Sequence, residues 1–171
     1  MATTAVHVSL AEYMNTAYEP DCDYVDGAVE ERHVGKQRHS MAQGLLLAQL
    51  FSSQRRHGYK VLPEQRVQIS RSRVRIPDIC LVARNDNDEV IQRPPALWIE
   101  ILSPEDRWGR IQSRLNDALA FGVPTIWIID PYSREACIAA PEHGTAPVED
   151  GILRCETPKL EISLVEILPE E

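Results

Sequence analysis

The stretch LWIEILSPEDR, Leu97 to Arg107, sets an apolar run of strand length directly against a helix-start signal. Leu97 to Leu102 is short, apolar on both faces and preceded by Pro94-Pro95, the pattern of a buried strand. Glu100 interrupts it. A buried carboxylate costs on the order of several kcal/mol unless something compensates its charge, so Glu100 requires a partner. Downstream, Ser103 reads as an N-cap, Pro104 as the first helical residue and Asp106 as the far half of a capping box. That helix closes at Gly122, and Pro124 forbids its continuation. PTIWIIDP, residues 124–131, is then a second buried strand.

Upstream, RIPDICLV at residues 75–82 holds another carboxylate, Asp78, in apolar surroundings. Side chains alternate along a strand, so Ile76, Asp78, Cys80 and Val82 share one face, and Trp98, Glu100 and Leu102 share another. The intervening segment is long enough for the two strands to return as neighbours, which lets both carboxylates converge on one point. Two convergent carboxylates need a cation between them, or one must stay protonated. Mg²⁺ or Mn²⁺, hard ions with oxygen ligands, suits the first case best. The alternative is simple ion pairing, with Arg73 or Arg75 on Asp78 and Arg107 on Glu100.

The remaining elements frame this pair. SLAEYMNTAY (9–18) has helical spacing, with Ser9 and Glu12 as a capping box. CDYVDGAVEER (22–32) is two short extended arms around Asp26-Gly27, a strong hairpin signal. A long helix is expected over residues 36–56, ending at Gly58. YKVLPEQRVQIS (59–70) and RVRIPDICLVA (73–83) read as two strands joined by a polar turn, and NDNDEVIQRPP (85–95) as a loop. EACIAA (135–140) and the segment 153–168 supply further strands and a tail. The architecture expected is α/β in the mixed α+β sense: a central mixed sheet flanked by helices, with an N-terminal helix and hairpin, in one domain over residues 1–171.

Composition narrows the function classes. The chain has 171 residues, 43% hydrophobic and 26% charged, which describes a globular protein with a sizeable core. No apolar stretch approaches the ~20 residues that cross a bilayer. The N-terminus lacks the pattern of a secretory signal, so a cytoplasmic location is expected. Cys22, Cys80, Cys137 and Cys155 are far apart and form no C-x-x-C pair, which argues against structural zinc. The net charge of −8 opposes a general nucleic-acid coat but leaves room for a local cationic site. Much of the acidic surplus lies in the 85–89 loop and the C-terminal PEE, both expected to be solvated.

Taken together, YVDGAVEER, VGKQRHSMA, RIPDICLV, LWIEILSPEDR and FGVPTIWIIDP resemble the PD-(D/E)XK nuclease superfamily, and within it the Uma-two family of restriction-endonuclease-like proteins. The resemblance runs from about residue 9 to 133. It implies a mixed four-stranded sheet flanked by helices, with extra strands, and Mg²⁺-dependent cleavage of phosphodiester bonds, in DNA by the habit of the superfamily. By the same match Asp78, Glu100 and the carbonyl of Ile101 would be metal ligands, and His39 falls on the family's glycine–histidine motif. The superfamily lysine stands two residues after the acid, where this chain has Leu102. In relatives a lysine moves to the following helix, and the matching residue here is Arg114. The chain's lysines are Lys36, Lys60 and Lys159. Arginine can orient a phosphate, but it is no general base at neutral pH. Two readings therefore stand: a nuclease using Asp78, Glu100, Arg114 and His39, or an inactive relative serving as a binding or assembly module.

Other residues carry less. His39 shares a helical stripe with Leu46 and Leu50 and is expected to point inward. Glu64 is either a third acid or, as favoured here, an edge residue paired with Arg66. Arg107, Arg110 and Arg114 form a cationic stripe on one helix, equally readable as a phosphate-facing or a solvated face. Trp108 beside it could stack on a base, whereas Trp98 and Trp127 belong to the core. For either reading a twofold homodimer is the commonest assembly.

Overall fold

The computed structural model describes residues 7–33 and 35–168. The C-terminal Pro169–Glu171, expected to be solvated, lies outside them. The fold opens with α1 (Leu10–Met14), capped by Ser9, whose hydroxyl accepts from the Glu12 amide as anticipated. The hairpin β1 (Cys22–Val25) and β2 (Ala28–Glu31) turns at Asp26 and Gly27, both at positive φ (50° and 91°), as a tight two-residue hairpin turn requires. Next come α2 (Gln37–His57), closed by a left-handed Gly58, then β3 (Tyr59–Pro63), β4 (Val67–Ser70), β5 (Arg73–Arg75), β6 (Ile79–Ala83) and β7 (Leu97–Ile101). The chain ends with α3 (Trp108–Phe121), β8 (Ile126–Asp130), β9 (Glu135–Ala140), β10 (Gly144–Pro147), β11 (Ile152–Cys155), β12 (Leu160–Ser163) and α4 (Leu164–Ile167).

These strands build a six-stranded sheet in the order β10-β9-β8-β7-β6-β3, a four-stranded sheet β2-β1-β5-β4 and the pair β11-β12. The large sheet is mixed, because β7 and β8 run parallel across α3 while its other pairs are antiparallel. The architecture is mixed α+β, as the sequence pattern indicates. Alternation along β7 sorts its two faces. Leu97, Ile99 and Ile101 pack with Ala42, Leu46 and Leu50 of α2, while Trp98 packs with Ile111, Leu115 and Ala118 of α3. Trp98 and Trp127 are both fully buried. A third, smaller core of Tyr13, Tyr24 and Val74 seats α1 on the four-stranded sheet.

Two expectations are corrected. The runs 59–70 and 73–83 are four strands, not two, and their halves belong to different sheets. β3 pairs with β6 in the large sheet, and β4 with β5 in the small one. The break falls at Pro63-Glu64, where Glu64 takes φ 49°, and at Pro77, which has no N–H to donate to a ladder. Asp78 consequently lies at the corner between the sheets, just before β6, and not within a strand. The second correction is the start of α3. Ser103 and Asp106 do bond, the Ser103 amide donating to the Asp106 carboxylate at 2.7 Å, but they close a turn. Arg107 then stays extended (ψ 129°), so helix begins at Trp108. The capping-box signal is local and marks a turn as readily as a helix.

Candidate active site

The β6–β7 ladder pairs Ile79 with Ile99 and Cys80 with Trp98. Continuing that register by one residue sets Asp78 opposite Glu100, and both line a cavity of about 40 Å³. The same cavity is lined by Ile101, Arg114, His39, Arg32 and Arg110. All five residues singled out from sequence (Asp78, Glu100, Ile101, Arg114 and His39) thus border one space. His39 reaches it from the first turn of α2, where its inward stripe continues through Ala42, Leu46 and Leu50.

Asp78 is almost fully enclosed. One carboxylate oxygen accepts from Arg32 at 2.8 Å and lies 3.5 Å from His39 Nε2, and the other accepts from the Ile101 amide at 2.6 Å. Burial works to raise its pKa. The His39 hydrogen bond, the Arg32 and His39 charges and the Ile101 amide outweigh burial, and the carboxyl sits below the usual aspartate range. For His39, burial disfavours the imidazolium but Asp78 more than compensates, so its pKa is raised.

Glu100 behaves in the opposite way. Its carboxylate accepts from the Trp98 indole at 2.7 Å and from Arg114 through both oxygens, at 2.8 and 3.0 Å. Burial nevertheless pushes its pKa upward, with Arg114 offsetting part of the effect and the Asp78 charge adding to it. The two facing acids are shifted in opposite directions: Asp78 favours its charged form, and Glu100 takes a proton more readily.

The arginines differ from those expected. Asp78 pairs with Arg32, not Arg73 or Arg75, and Glu100 pairs with Arg114, not Arg107. Arg73 and Arg75 instead bind Asp117, and Arg75 also binds Asp23 and Glu30. Arg114 donates to Asp23 at 2.5 Å and to the Ile76 carbonyl at 2.7 Å. The stripe of three helix arginines is therefore graded: Arg107 is exposed, Arg110 half-buried and Arg114 buried. Glu64 bonds Arg32 and Gln43, while Arg66 bonds Asp21. Neither Arg32 nor Asp23 stands out in the sequence. Arg32 follows a hairpin strand, and fully buried Asp23 sits in one, and neither has a local partner to signal its role.

The donor set fits a hard divalent ion. Two carboxylates face each other, and the Ile101 carbonyl points to the β6 side of its strand, as does its amide, which bonds Asp78. Among the described residues no three His, Cys, Asp or Glu side chains form a cage. Mg²⁺ needs none, since it is commonly held by one or two carboxylates with waters completing the octahedron. Among the described residues no helix is long and apolar enough to cross a membrane.

Comparison with known proteins bears on the fold and the family. A crystal structure described as "a putative nuclease belonging to DUF820" from Anabaena variabilis superposes with a TM-score of 0.84 at 18% identity, covering 94% of this chain and 97% of that one. At that identity the likeness concerns the fold. No curated protein matches the chain in sequence. The sequence model of the Uma2 family, described as "Putative restriction endonuclease", matches residues 10–170. The chain belongs to the Uma2 family.

Proposed function

We propose that this protein is a metal-dependent endonuclease that hydrolyses phosphodiester bonds in DNA, with Asp78, Glu100 and the Ile101 carbonyl holding Mg²⁺ or Mn²⁺. The observation that carries this reading is that Asp78, just before β6, and Glu100, near the end of β7, face each other and line one cavity. Bound there, the ion supplies Lewis acidity, polarising water and offsetting charge on the scissile phosphate. Arg114 orients the Glu100 carboxylate and adds positive charge to the cavity, and Arg110 lines the mouth beside the start of α3, an end favourable to anions. His39 keeps a proton on Nε2 toward Asp78, which holds that carboxylate ionised and correctly turned. Trp108, 61% exposed at the start of α3, offers a surface on which a base can stack.

A second reading is favoured by a specific observation. Every oxygen of Asp78 and Glu100 already has a donor, and Leu102 stands where the superfamily places its lysine. In that case the protein is a non-catalytic relative that keeps the fold as a binding or assembly module. Plasmid incubated with the purified protein and Mg²⁺ or Mn²⁺ separates the two. The nuclease reading predicts nicking or linearisation that disappears in Glu100→Ala. Equal cleavage by wild type and Glu100→Ala, or none by either, supports the module.

A further inference from the structure

A second cavity, of about 270 Å³, adjoins the first. Arg32, His33, His39 and Asp78 line both, so the Arg32 side chain stands in the partition between them. It is 13% exposed and bridges two acids, bonding Glu64 through one terminal nitrogen and Asp78 through the other. Its second acid is held with unusual care. Glu64 takes a left-handed backbone (φ 49°) rare for its residue type, and its amide bonds the Asp78 carbonyl at 3.1 Å. Gln43 clamps the same two residues, donating to the Glu64 carboxylate at 2.8 Å and to the Asp78 carbonyl at 3.1 Å. Arg114, the cation on Glu100, differs. It too is shared by two acids, Glu100 and Asp23, but both are buried, and the Ile76 carbonyl holds the same guanidinium. The second acid of Arg32, Glu64, has a 46% exposed side chain and lines the larger cavity.

We propose that Arg32 is the resident counter-cation of Asp78, and that Glu64 is the holder that draws it away when a divalent ion arrives. The cation affinity of the site is then set by competition between ion and guanidinium. Glu64 is a positioning residue that acts through Arg32. This rests on the reading of Asp78 and Glu100 as a metal site, and it adds two residues that tune the site without ligating the ion.

A double-mutant cycle read by calorimetric titration of Mn²⁺ tests the proposal. Removing a positive charge a few ångströms from the ion strengthens its binding, so Arg32→Gln should bind Mn²⁺ at least about tenfold more tightly than wild type. Glu64→Gln leaves Asp78 as the sole acid on Arg32 and should weaken Mn²⁺ binding several-fold. In the Arg32→Gln background the Glu64→Gln change should have little effect, since no guanidinium remains to be held. Opposite signs from two neighbouring substitutions cannot come from general loss of structure. Should Arg32→Gln fold poorly, Arg32→Lys serves. It keeps the charge but cannot bridge both acids, and its affinity should shift when Glu64 is changed. The proposal is overturned if Arg32→Gln binds Mn²⁺ no more tightly than wild type. It also falls if Glu64→Gln weakens binding equally in both backgrounds, which would make Glu64 a ligand. If wild type and every variant fail to bind Mn²⁺, the metal site itself falls and the proposal with it.

Discussion

Two charge networks meet in this protein, and they are built differently. The first joins Asp23 of β1, Arg75 of β5, Glu100 of β7, and Arg114 and Asp117 of α3, all buried. It ties the four-stranded sheet to the helix that crosses between β7 and β8. The second joins Arg32, Glu64, His39 and Asp78 along the cavity walls, where Glu64 keeps a 46% exposed side chain. Both networks share cations between acids, but in the sealed one Arg114 lies between buried Asp23 and Glu100, and Arg75 between buried Asp23 and Asp117. In the open one the second acid of the shared cation, Glu64, is exposed and gives it a route to solvent. The same residue types thus serve rigidity in one place and exchange in the other. Glu100 belongs to the sealed network through Arg114 and faces Asp78 of the open one, so the candidate site is assembled where the two touch.

The largest stability effect should come from the sealed side. Asp23→Ala strips Arg75 and Arg114 of a buried acceptor and should cost about 3–5 kcal/mol, the usual result of breaking one partner out of a buried ion network. Urea denaturation measures it. A loss well under 1 kcal/mol would show that water or another acid takes Asp23's place and that the network is not sealed. Asp78→Ala should divide its effects the other way. Plasmid cleavage should fall by at least about 100-fold, while stability drops only about 1–3 kcal/mol, because Arg32 retains Glu64. If Asp78→Ala proves the more destabilising of the two, the contrast is reversed.

Smaller effects sharpen the same contrast. Gly122 ends α3 at φ 108°, and a Cβ there would lie 3.3 Å from Pro94. Gly122→Ala should cost about 1–2 kcal/mol through the left-handed backbone alone, and cleavage at permissive temperature should be unaltered. Arg154, on β11, makes exposed pairs with Asp150 and Glu161. Arg154→Ala should change neither melting temperature nor cleavage measurably, as expected of solvated ion pairs.

What could be read from sequence follows the range of each signal. Local chemistry located the Asp26-Gly27 hairpin, the Gly58 and Gly122 helix ends and the Ser9 cap. Apolar periodicity located α2, β7 and β8. The carboxylates stood out because a charge inside an apolar run has to be explained, and strand alternation together with an assumed return of the chain allowed Asp78 and Glu100 to converge, although Asp78 lies just before β6 and not in a strand. Their partners were not legible. Arg32 lies 46 positions from Asp78 in sequence and Asp23 lies 91 from Arg114. Such pairings depend on how the small sheet docks on the large one, which nearest-neighbour reasoning does not reach. It offered Arg73, Arg75 and Arg107 because they were close in sequence. The false start of α3 has a related cause: Ser103-Pro-Glu-Asp106 satisfies its own hydrogen bonds within four residues, and only the extended Arg107 decides between turn and helix.

The proposed chemistry requires Asp78 and Glu100 to hold one divalent ion between them. Calorimetric titration of Mn²⁺ into wild type, Asp78→Asn and Glu100→Gln tests it most directly. One saturable site per chain is expected in wild type and none in either variant. A wild type that gives no heat beyond dilution, or an Asp78→Asn protein that binds Mn²⁺ as well as wild type, would contradict it.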